Sequence, residues 1–302
     1  MLPRLAEIFF NVIAPVFSLV VIGYVAGPRL NLEARTLSRY AYFILIPAFV
    51  FNVMSTAEIR ATLAVQMISY MLVVHLSCAL LGFLVARFLR RSADMVAAYV
   101  LIAVFGNVGN FGLPIIEFRL GQEAVAAATV YFLVISTTAF IIGVAAANWN
   151  NGGSQDVMLA VFKTPALVAL VPALFLNWSQ LEPPLFVSRI ISLLAVAMVP
   201  TMLVALGVQL AGARHIKLTQ DTVIASAIRL VGGPALALVL VIPFNLTGVE
   251  RGAGIFQAGM PAAVLTSIIA LEYKLLPEFV TTTVLFSTLA SVVTLTVLLA
   301  IV

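Results

Sequence analysis

Long apolar stretches alternate with short polar connections along almost the whole chain. A helix needs about 20 consecutive apolar residues to cross the hydrocarbon core of a bilayer. Ten stretches of about this length are present, so the pattern predicts an all-α integral membrane protein with ten transmembrane helices. The predicted spans, numbered 1 to 10, cover residues 7–27, 37–54, 63–86, 94–120, 123–148, 159–178, 186–211, 220–243, 249–271 and 277–301.

Two of these spans contain residues that an unbroken helix does not tolerate. Span 4 reads Phe-Gly-Asn-Val-Gly-Asn-Phe-Gly-Leu-Pro-Ile over residues 105–115, and span 9 reads Gln-Ala-Gly-Met-Pro over residues 257–261. Proline lacks the backbone donor, and each interior glycine costs about 1 kcal/mol relative to alanine. Broken helices in a membrane survive only where protein or a cavity satisfies the freed backbone groups. Paired interruptions in two halves of a chain indicate the binding site of a secondary transporter.

The spacing of the prolines indicates an internal repeat. A polar segment, residues 148–156, lies at the midpoint of the chain. Prolines recur on either side of it at a nearly constant spacing, in the pairs Pro15 and Pro165, Pro47 and Pro200, and Pro114 and Pro261. We predict two five-helix repeats, residues 1–150 and 151–302. Because five spans is an odd number, the second repeat is inverted in the membrane relative to the first.

Composition and charge narrow the function. The chain is 63% hydrophobic and 9% charged, which leaves no room for a soluble catalytic domain, and it contains no metalloprotease or serine-hydrolase motif. We therefore predict no enzyme, cofactor or metal. The net charge of +4 comes from basic residues scattered over short loops, so nucleic acid is not a predicted partner. Ten basic residues follow odd-numbered spans and five lie on the opposite side, which predicts that both termini are outside.

This topology gives the two interruptions opposite directions. Span 4 enters from the cytoplasm, stops near Asn107 and restarts at Pro114, whereas span 9 enters from outside, stops near Gln257 and restarts at Pro261. If the two breaks cross, two helix N-termini meet near the middle of the membrane. Each terminus offers unpaired N–H groups and about half a positive charge, which suits an anion.

The absence of charge at the breaks favours an anionic ligand. No Asp, Glu, Lys or Arg occurs in residues 98–116 or 252–271, whereas a cation site would be expected to carry carboxylates. The amides can hydrogen-bond a carboxylate substrate, or they can only satisfy the broken backbone. The predicted substrate-binding residues are Asn107, Asn110, Gly112, Pro114, Gln257, Gly259, Pro261, Arg229 and Asn52, with helix bends at Pro47 and Pro200.

Few other ionisable groups lie within the spans. Arg229 in span 8 is costly to bury in a membrane and is a functional candidate for that reason. It can counter a substrate carboxylate, or it can snorkel or pair with a structural carboxylate. If transport is coupled to protons, the candidates to carry the proton are His75, Glu117 and Glu272.

Short motifs along the whole chain resemble the auxin efflux carrier family, which includes plant PIN-type carriers and bacterial malate and malonate permeases. The helix 4 motif is Asn107 followed seven residues later by Pro114, in Asn-x-x-x-x-Gly-Leu-Pro. The others are Ala14-Pro15, Ile22-Gly23-Tyr24, Ile46-Pro47-Ala48-Phe49, Arg229-Leu-Val-Gly-Gly-Pro234, Met260-Pro261 and Leu271-Glu272-Tyr273.

The resemblance implies a ten-helix architecture like that of sodium/proton antiporters and bile-acid transporters. Spans 1, 2, 6 and 7 would form a scaffold, and spans 3–5 and 8–10 would form a moving core with crossing helices 4 and 9. It also implies homodimers, formed through the scaffold, and an elevator motion. The long loop of the plant carriers between spans 5 and 6 is missing, which indicates a prokaryotic permease of the inner membrane.

The sequence thus favours an elevator-type permease for small organic anions, such as dicarboxylates or auxin-like carboxylic acids. One alternative is a Na⁺-coupled symporter of bile-acid-transporter type, whose transport would vanish without Na⁺. A second alternative is a non-transporting membrane receptor, which would bind its ligand without moving it into sealed vesicles.

Overall fold

The computed structural model describes residues 2–147, 164–212 and 218–302. In these ranges the regular structure is helical, apart from one isolated β-bridge. The helices are α1 (Pro3–Arg29), α2 (Ala34–Ser55), α3 (Ala61–Phe88), α4 (Ala93–Val104), α5 (Leu113–Leu120), α6 (Glu123–Ala147), α7 (Pro165–Ser179), α8 (Leu185–Ala211), α9 (Gln220–Leu240), α10 (Gly248–Ala258), α11 (Val264–Glu272) and α12 (Pro277–Ile301). The predicted repeat boundary and the polar segment 148–156 lie outside the described residues.

Seven of these helices are long and apolar enough to cross a membrane, which makes the chain a multi-pass membrane protein. They are α1, α2, α3, α6, α8, α9 and α12, and they coincide with predicted spans 1, 2, 3, 5, 7, 8 and 10. Predicted spans 4 and 9 are each divided into two short helices, α4 with α5 and α10 with α11. In the region of span 6, the structure describes the 15-residue helix α7.

Proline shapes four of the helices in the same way. A five-residue π-helical turn occurs at residues 9–13, 41–45, 108–112 and 228–232. The second residue after each turn is a proline, namely Pro15, Pro47, Pro114 and Pro234. A proline ring clashes with the carbonyl four residues earlier, and the wider π turn moves that carbonyl aside. Pro200, by contrast, lies inside the continuous helix α8.

Helices α1 and α8 approach closely because both carry glycine at their contact. A Cβ atom added to Gly23 would lie 2.1 Å from the carbonyl oxygen of Val204, and one added to Gly207 would lie 2.0 Å from that of Val20. Small residues allow such backbone contact between membrane helices. We therefore expect a larger side chain at either glycine to separate α1 from α8.

Helices α2 and α7 form a second close pair. The side-chain amide of Asn177 on α7 donates to the carbonyls of Ser55 and Ala57, at 3.2 and 2.9 Å, and so holds the end of α2. Helices α1, α7 and α8 expose large apolar side chains, including Val21, Ile22, Val171, Phe175, Ile190 and Leu193. The remaining long helices α3, α6, α9 and α12 pack around the two divided helices.

Candidate functional site

The two helix breaks lie against each other. The N–H of Asn107 donates to the carbonyl of Pro261 at 2.7 Å, and the N–H of Ala263 donates to the carbonyl of Phe105 at 2.8 Å. Gly106 and Ala262 thereby form an antiparallel β-bridge. Each extended segment thus satisfies backbone groups that the interruption of the other helix leaves without intrahelical partners.

The first break restarts earlier than the sequence predicted. Helix α4 ends at Val104, and a π turn begins at Val108 and runs directly into α5. The carbonyl of Asn107 accepts from the N–H groups of Phe111 and Gly112, at 3.1 and 3.2 Å. The π turn therefore begins the helix six residues ahead of the predicted restart at Pro114, and the α-helix α5 follows it with Pro114 as its second residue.

The second break restarts later than predicted. Helix α10 ends at Ala258 and α11 begins at Val264, three residues beyond Pro261. The predicted restart at Pro261 is wrong because the backbone on both sides of this proline pairs with the first break. The N–H of Ala262 donates to Oγ of Ser287 on α12 at 3.2 Å, which fixes the segment from a second direction.

Two buried amides flank the breaks, and each keeps one polar atom unpaired. Asn107 is 4% exposed, and its Nδ2 has no hydrogen-bond partner in the part of the chain that the structure describes. Gln257 is 0% exposed, and its Nε2 donates to the carbonyl of Ala128 on α6 at 3.2 Å. Its Oε1 lacks a partner among the same residues and lies beside Gly112, where an added Cβ would approach it to 2.1 Å. Among the residues described, these two amides therefore retain one unpaired donor and one unpaired acceptor.

Of the other predicted residues, three lie at the breaks or at the adjacent helix ends, and Asn52 lies elsewhere. Asn110 is half-buried in the π turn, and Pro114 is buried in the first turn of α5. Gly259 follows α10, where an added Cβ would lie 2.6 Å from a side-chain carbon of Leu298. Asn52 is on α2 and lines a cavity rather than the bridge between the breaks.

Arg229 lies between the two divided helices and is 2% exposed. Its guanidinium donates to backbone carbonyls at both breaks. The predicted alternative of snorkelling or pairing with a structural carboxylate is therefore wrong. The carboxylate of Asp221 on the same helix pairs instead with Arg91, at 2.9 Å.

His75 links three helices at the end of α4. Its Nε2 contacts the carbonyl of Val104 at 2.7 Å, and its Nδ1 contacts the hydroxyl of Thr138 on α6. Because a carbonyl only accepts, Nε2 carries a proton. The hydrogen on Nε2 thus ties α3 to the last turn before the first break.

The sequence analysis missed three hydroxyl groups near the second break. Thr266 and Ser267 lie in the first turn of α11, buried and without hydrogen-bond partners among the residues described. The third, Ser287, accepts from the N–H of Ala262 in the second break. Spans 5 and 10 also contain several serines and threonines, so residue type alone did not distinguish these three.

A cavity of about 600 Å³ opens between α2 and α8 on one side and α5, α6 and α10 on the other. Four carboxylates line it, from Glu58, Glu117, Glu123 and Glu250. Its lining on α6 extends to Ala127, the neighbour of Ala128, whose carbonyl accepts from Gln257. The cavity therefore has an acidic lining, and on α6 this lining ends one residue before the partner of Gln257.

A multi-pass helical protein with two divided helices that meet at a buried polar site has the architecture of a membrane transport protein. A family model described as membrane transport protein matches residues 8–155 and 153–299 of the chain. The chain belongs to this family.

Known relatives agree with this assignment. The chain is 22% identical to an uncharacterized transporter of Methanocaldococcus jannaschii, over 92% of this chain and 94% of that protein. It is 25% identical to a candidate malonate transporter of Rhizobium meliloti, over 96% of this chain and 94% of the other. A segment of 70 residues, 23% of this chain and 19% of the relative, is 40% identical to a candidate auxin efflux carrier component of Oryza sativa subsp. japonica. The resemblance to auxin efflux carriers is confirmed.

Proposed function

We propose that this protein is a permease for small organic anions, such as dicarboxylates or auxin-like carboxylic acids, which bind where the two breaks meet. The observation that carries the proposal is the buried Nδ2 of Asn107, which has no hydrogen-bond partner among the described residues and lies beside the first turn of a helix. The first N–H groups of a helix have no acceptor within it, and the terminus carries about half a positive charge. These donors together suit a carboxylate.

The surroundings of Asn107 support an anion over a cation. No charged residue occurs in residues 98–116 or 252–271, so neither of these two segments carries a carboxylate that could offset the positive helix ends. The unpaired Oε1 of Gln257 can accept from a hydroxyl or protonated carboxyl of the same ligand. The names of two relatives, a malonate transporter and an auxin efflux carrier component, also refer to organic acids or their carriers.

We further propose that the anion moves by an elevator motion of a core against a scaffold. The scaffold is α1, α2, α7 and α8, and the proposal is supported by the close pairs α1 with α8 and α2 with α7. An inverted repeat that equates α1 with α7 and α2 with α8 exchanges these two pairs. The cavity of about 600 Å³ lies between the proposed scaffold and core. The exposed apolar side chains of the scaffold suit contact with lipid or with a second copy in a homodimer. We place the protein in a bacterial inner membrane, with both termini outside.

The acidic lining of the cavity favours a second candidate, a cation-coupled symporter of organic anions. Four carboxylates at one mouth raise the local concentration of cations and repel a free anion. In this case the anion and a cation such as Na⁺ would enter together. The two candidates share the site at Asn107 and differ in their ion dependence.

Uptake into liposomes tests both candidates. The purified protein is first screened by thermal shift against organic acids, and any stabilising acid is then followed into proteoliposomes with an imposed membrane potential. A permeant anion responds to about 2.3 kcal/mol per charge per 100 mV, so uptake should be saturable and should change with the potential. Loss of uptake when Na⁺ is replaced favours the symporter. Binding without uptake identifies a receptor, and a preference for cationic cargo contradicts the proposal.

A further inference from the structure

Arg229 is a buried cation, and each of its three guanidinium nitrogens donates to a backbone carbonyl. It belongs to the π turn at residues 228–232 in α9. Its Nε donates to the carbonyl of Met260 at 2.8 Å, its Nη1 to that of Ala103 at 2.9 Å, and its Nη2 to that of Gln257 at 3.3 Å. The guanidinium therefore binds both breaks at once.

All three carbonyls lie where a helix stops. Ala103 is in the last turn of α4, Gln257 is in the last turn of α10, and Met260 is two residues beyond α10. A helix C-terminus carries about half a negative charge, so the two C-termini together carry about one. The single positive charge of Arg229 therefore matches the combined negative charge of the two helix C-termini.

The pairing of the breaks determines which helix ends are neighbours. The bond from Ala263 to Phe105 brings the start of α11 beside the end of α4. The bond from Asn107 to Pro261 brings the turn that begins at Val108 beside the end of α10. Without the guanidinium, each positive N-terminus would be offset by an adjacent negative C-terminus. With it, both N-termini keep about half a positive charge.

We propose that Arg229 makes the meeting point of the breaks selective for anions, and that it acts through the helix ends without touching the substrate. The inference rests on the proposed function, because it explains the charge preference of that same site. Arg229 is therefore a positioning residue. In a site that excludes water, uncompensated charges of this kind act more strongly than in solution.

The test compares each acid with its uncharged amide, using the pairs malonate and malonamide, and indole-3-acetate and indole-3-acetamide. Affinities are measured for the purified wild-type protein and for R229Q and R229K. We expect the acid-to-amide affinity ratio to fall at least tenfold in R229Q, which corresponds to about 1.4 kcal/mol. R229K should retain most of the preference, because an ammonium group can donate to the same carbonyls. A merely structural role would weaken acid and amide alike.

Gly106 provides a variant that keeps the charge and changes its position. A Cβ at residue 106 would lie 2.0 Å from Nη2 of Arg229, so G106A should push the guanidinium away from the carbonyls and lower the ratio. If R229Q does not fold, the contrast between R229K and G106A decides. An unchanged ratio in R229Q, or in G106A where R229Q fails to fold, overturns the inference and leaves the proposed function standing. A wild-type protein that does not prefer the acids overturns both.

Discussion

The two breaks are paired by their sequence spacing and by their hydrogen bonds, yet they are built differently. At the first break the chain enters a π turn at Val108, and Asn107 keeps an unpaired donor. At the second break an extended backbone runs to Val264 and is held by Ser287. The carbonyls of Gln257 and Met260 on this side bind Arg229. We therefore expect the first break to contact the substrate, while the second supplies two of the three carbonyls that bind Arg229.

The largest effect is expected at the first break. Asn107→Ala removes the unpaired donor and should lower the initial rate of uptake into proteoliposomes at least tenfold, since hydrogen bonds to charged groups contribute about 1.5–3 kcal/mol. The folded fraction, measured by size-exclusion chromatography, should stay unchanged because Nδ2 has no partner among the described residues. Asn110→Ala is the matched control on the adjacent turn. Equal losses in both variants would contradict the special role of Asn107.

The amide of the second break should matter for stability as well as transport. Gln257→Leu keeps a side chain of similar size but removes the side-chain hydrogen bond to the carbonyl of Ala128, which lies inside the continuous helix α6. A typical hydrogen bond contributes about 0.5–1.5 kcal/mol, so the melting temperature should fall. We expect uptake to fall less than in Asn107→Ala. An unchanged melting temperature would show that the contact from α10 to α6 contributes nothing to stability.

Substitutions in the acidic cavity should have a smaller effect, which distinguishes a plain anion permease from a cation-coupled symporter. The double substitution Glu58→Gln and Glu250→Gln removes two charges from its mouth. For a plain anion permease, apparent affinity should rise about fourfold at low salt, because each of the two charges repels an anion by about 0.4 kcal/mol in water at a distance of about 10 Å. The gain should shrink at 1 M salt, where screening extends only about 3 Å. A fall in Na⁺-dependent uptake would support the symporter instead.

The smallest effect is expected from a hydroxyl at the start of α11. Thr266 is buried, and its Oγ1 has no partner among the residues that the structure describes. Thr266→Val replaces this hydroxyl with a methyl group and should leave the melting temperature unchanged or raise it slightly. Uptake should change less than threefold, and the Asn107→Ala variant measured in parallel gives the scale. A tenfold loss would move substrate recognition to the second break.

Local chemistry made the breaks predictable but not their ends. Glycine and proline indicate where a helix cannot continue, and both predicted interruptions are present in the structure. The position of each restart depends on more distant partners. The π turn shifts the first restart ahead of Pro114, and pairing with residues 105–107 delays the second one beyond Pro261. A single segment carries no signal for such pairing.

The partners of Arg229 were also beyond the reach of the sequence. A buried arginine suggests a carboxylate partner, from a substrate or from another side chain. Its actual partners are the carbonyls of Ala103, Gln257 and Met260, which every residue type possesses. Only the fold shows that these three carbonyls converge. For Asn107, the sequence places the amide at the first break. Only the fold shows that its Nδ2 has no hydrogen-bond partner among the described residues.

The central claim is that an organic anion binds at Asn107, and a cryo-electron microscopy structure of the protein with a transported acid tests it most directly. We predict carboxylate density within about 2.7–3.2 Å of Nδ2 of Asn107, beside the N–H groups of the turn that begins at Val108. A carboxylate bound elsewhere, with Nδ2 of Asn107 still unpaired, would contradict the account.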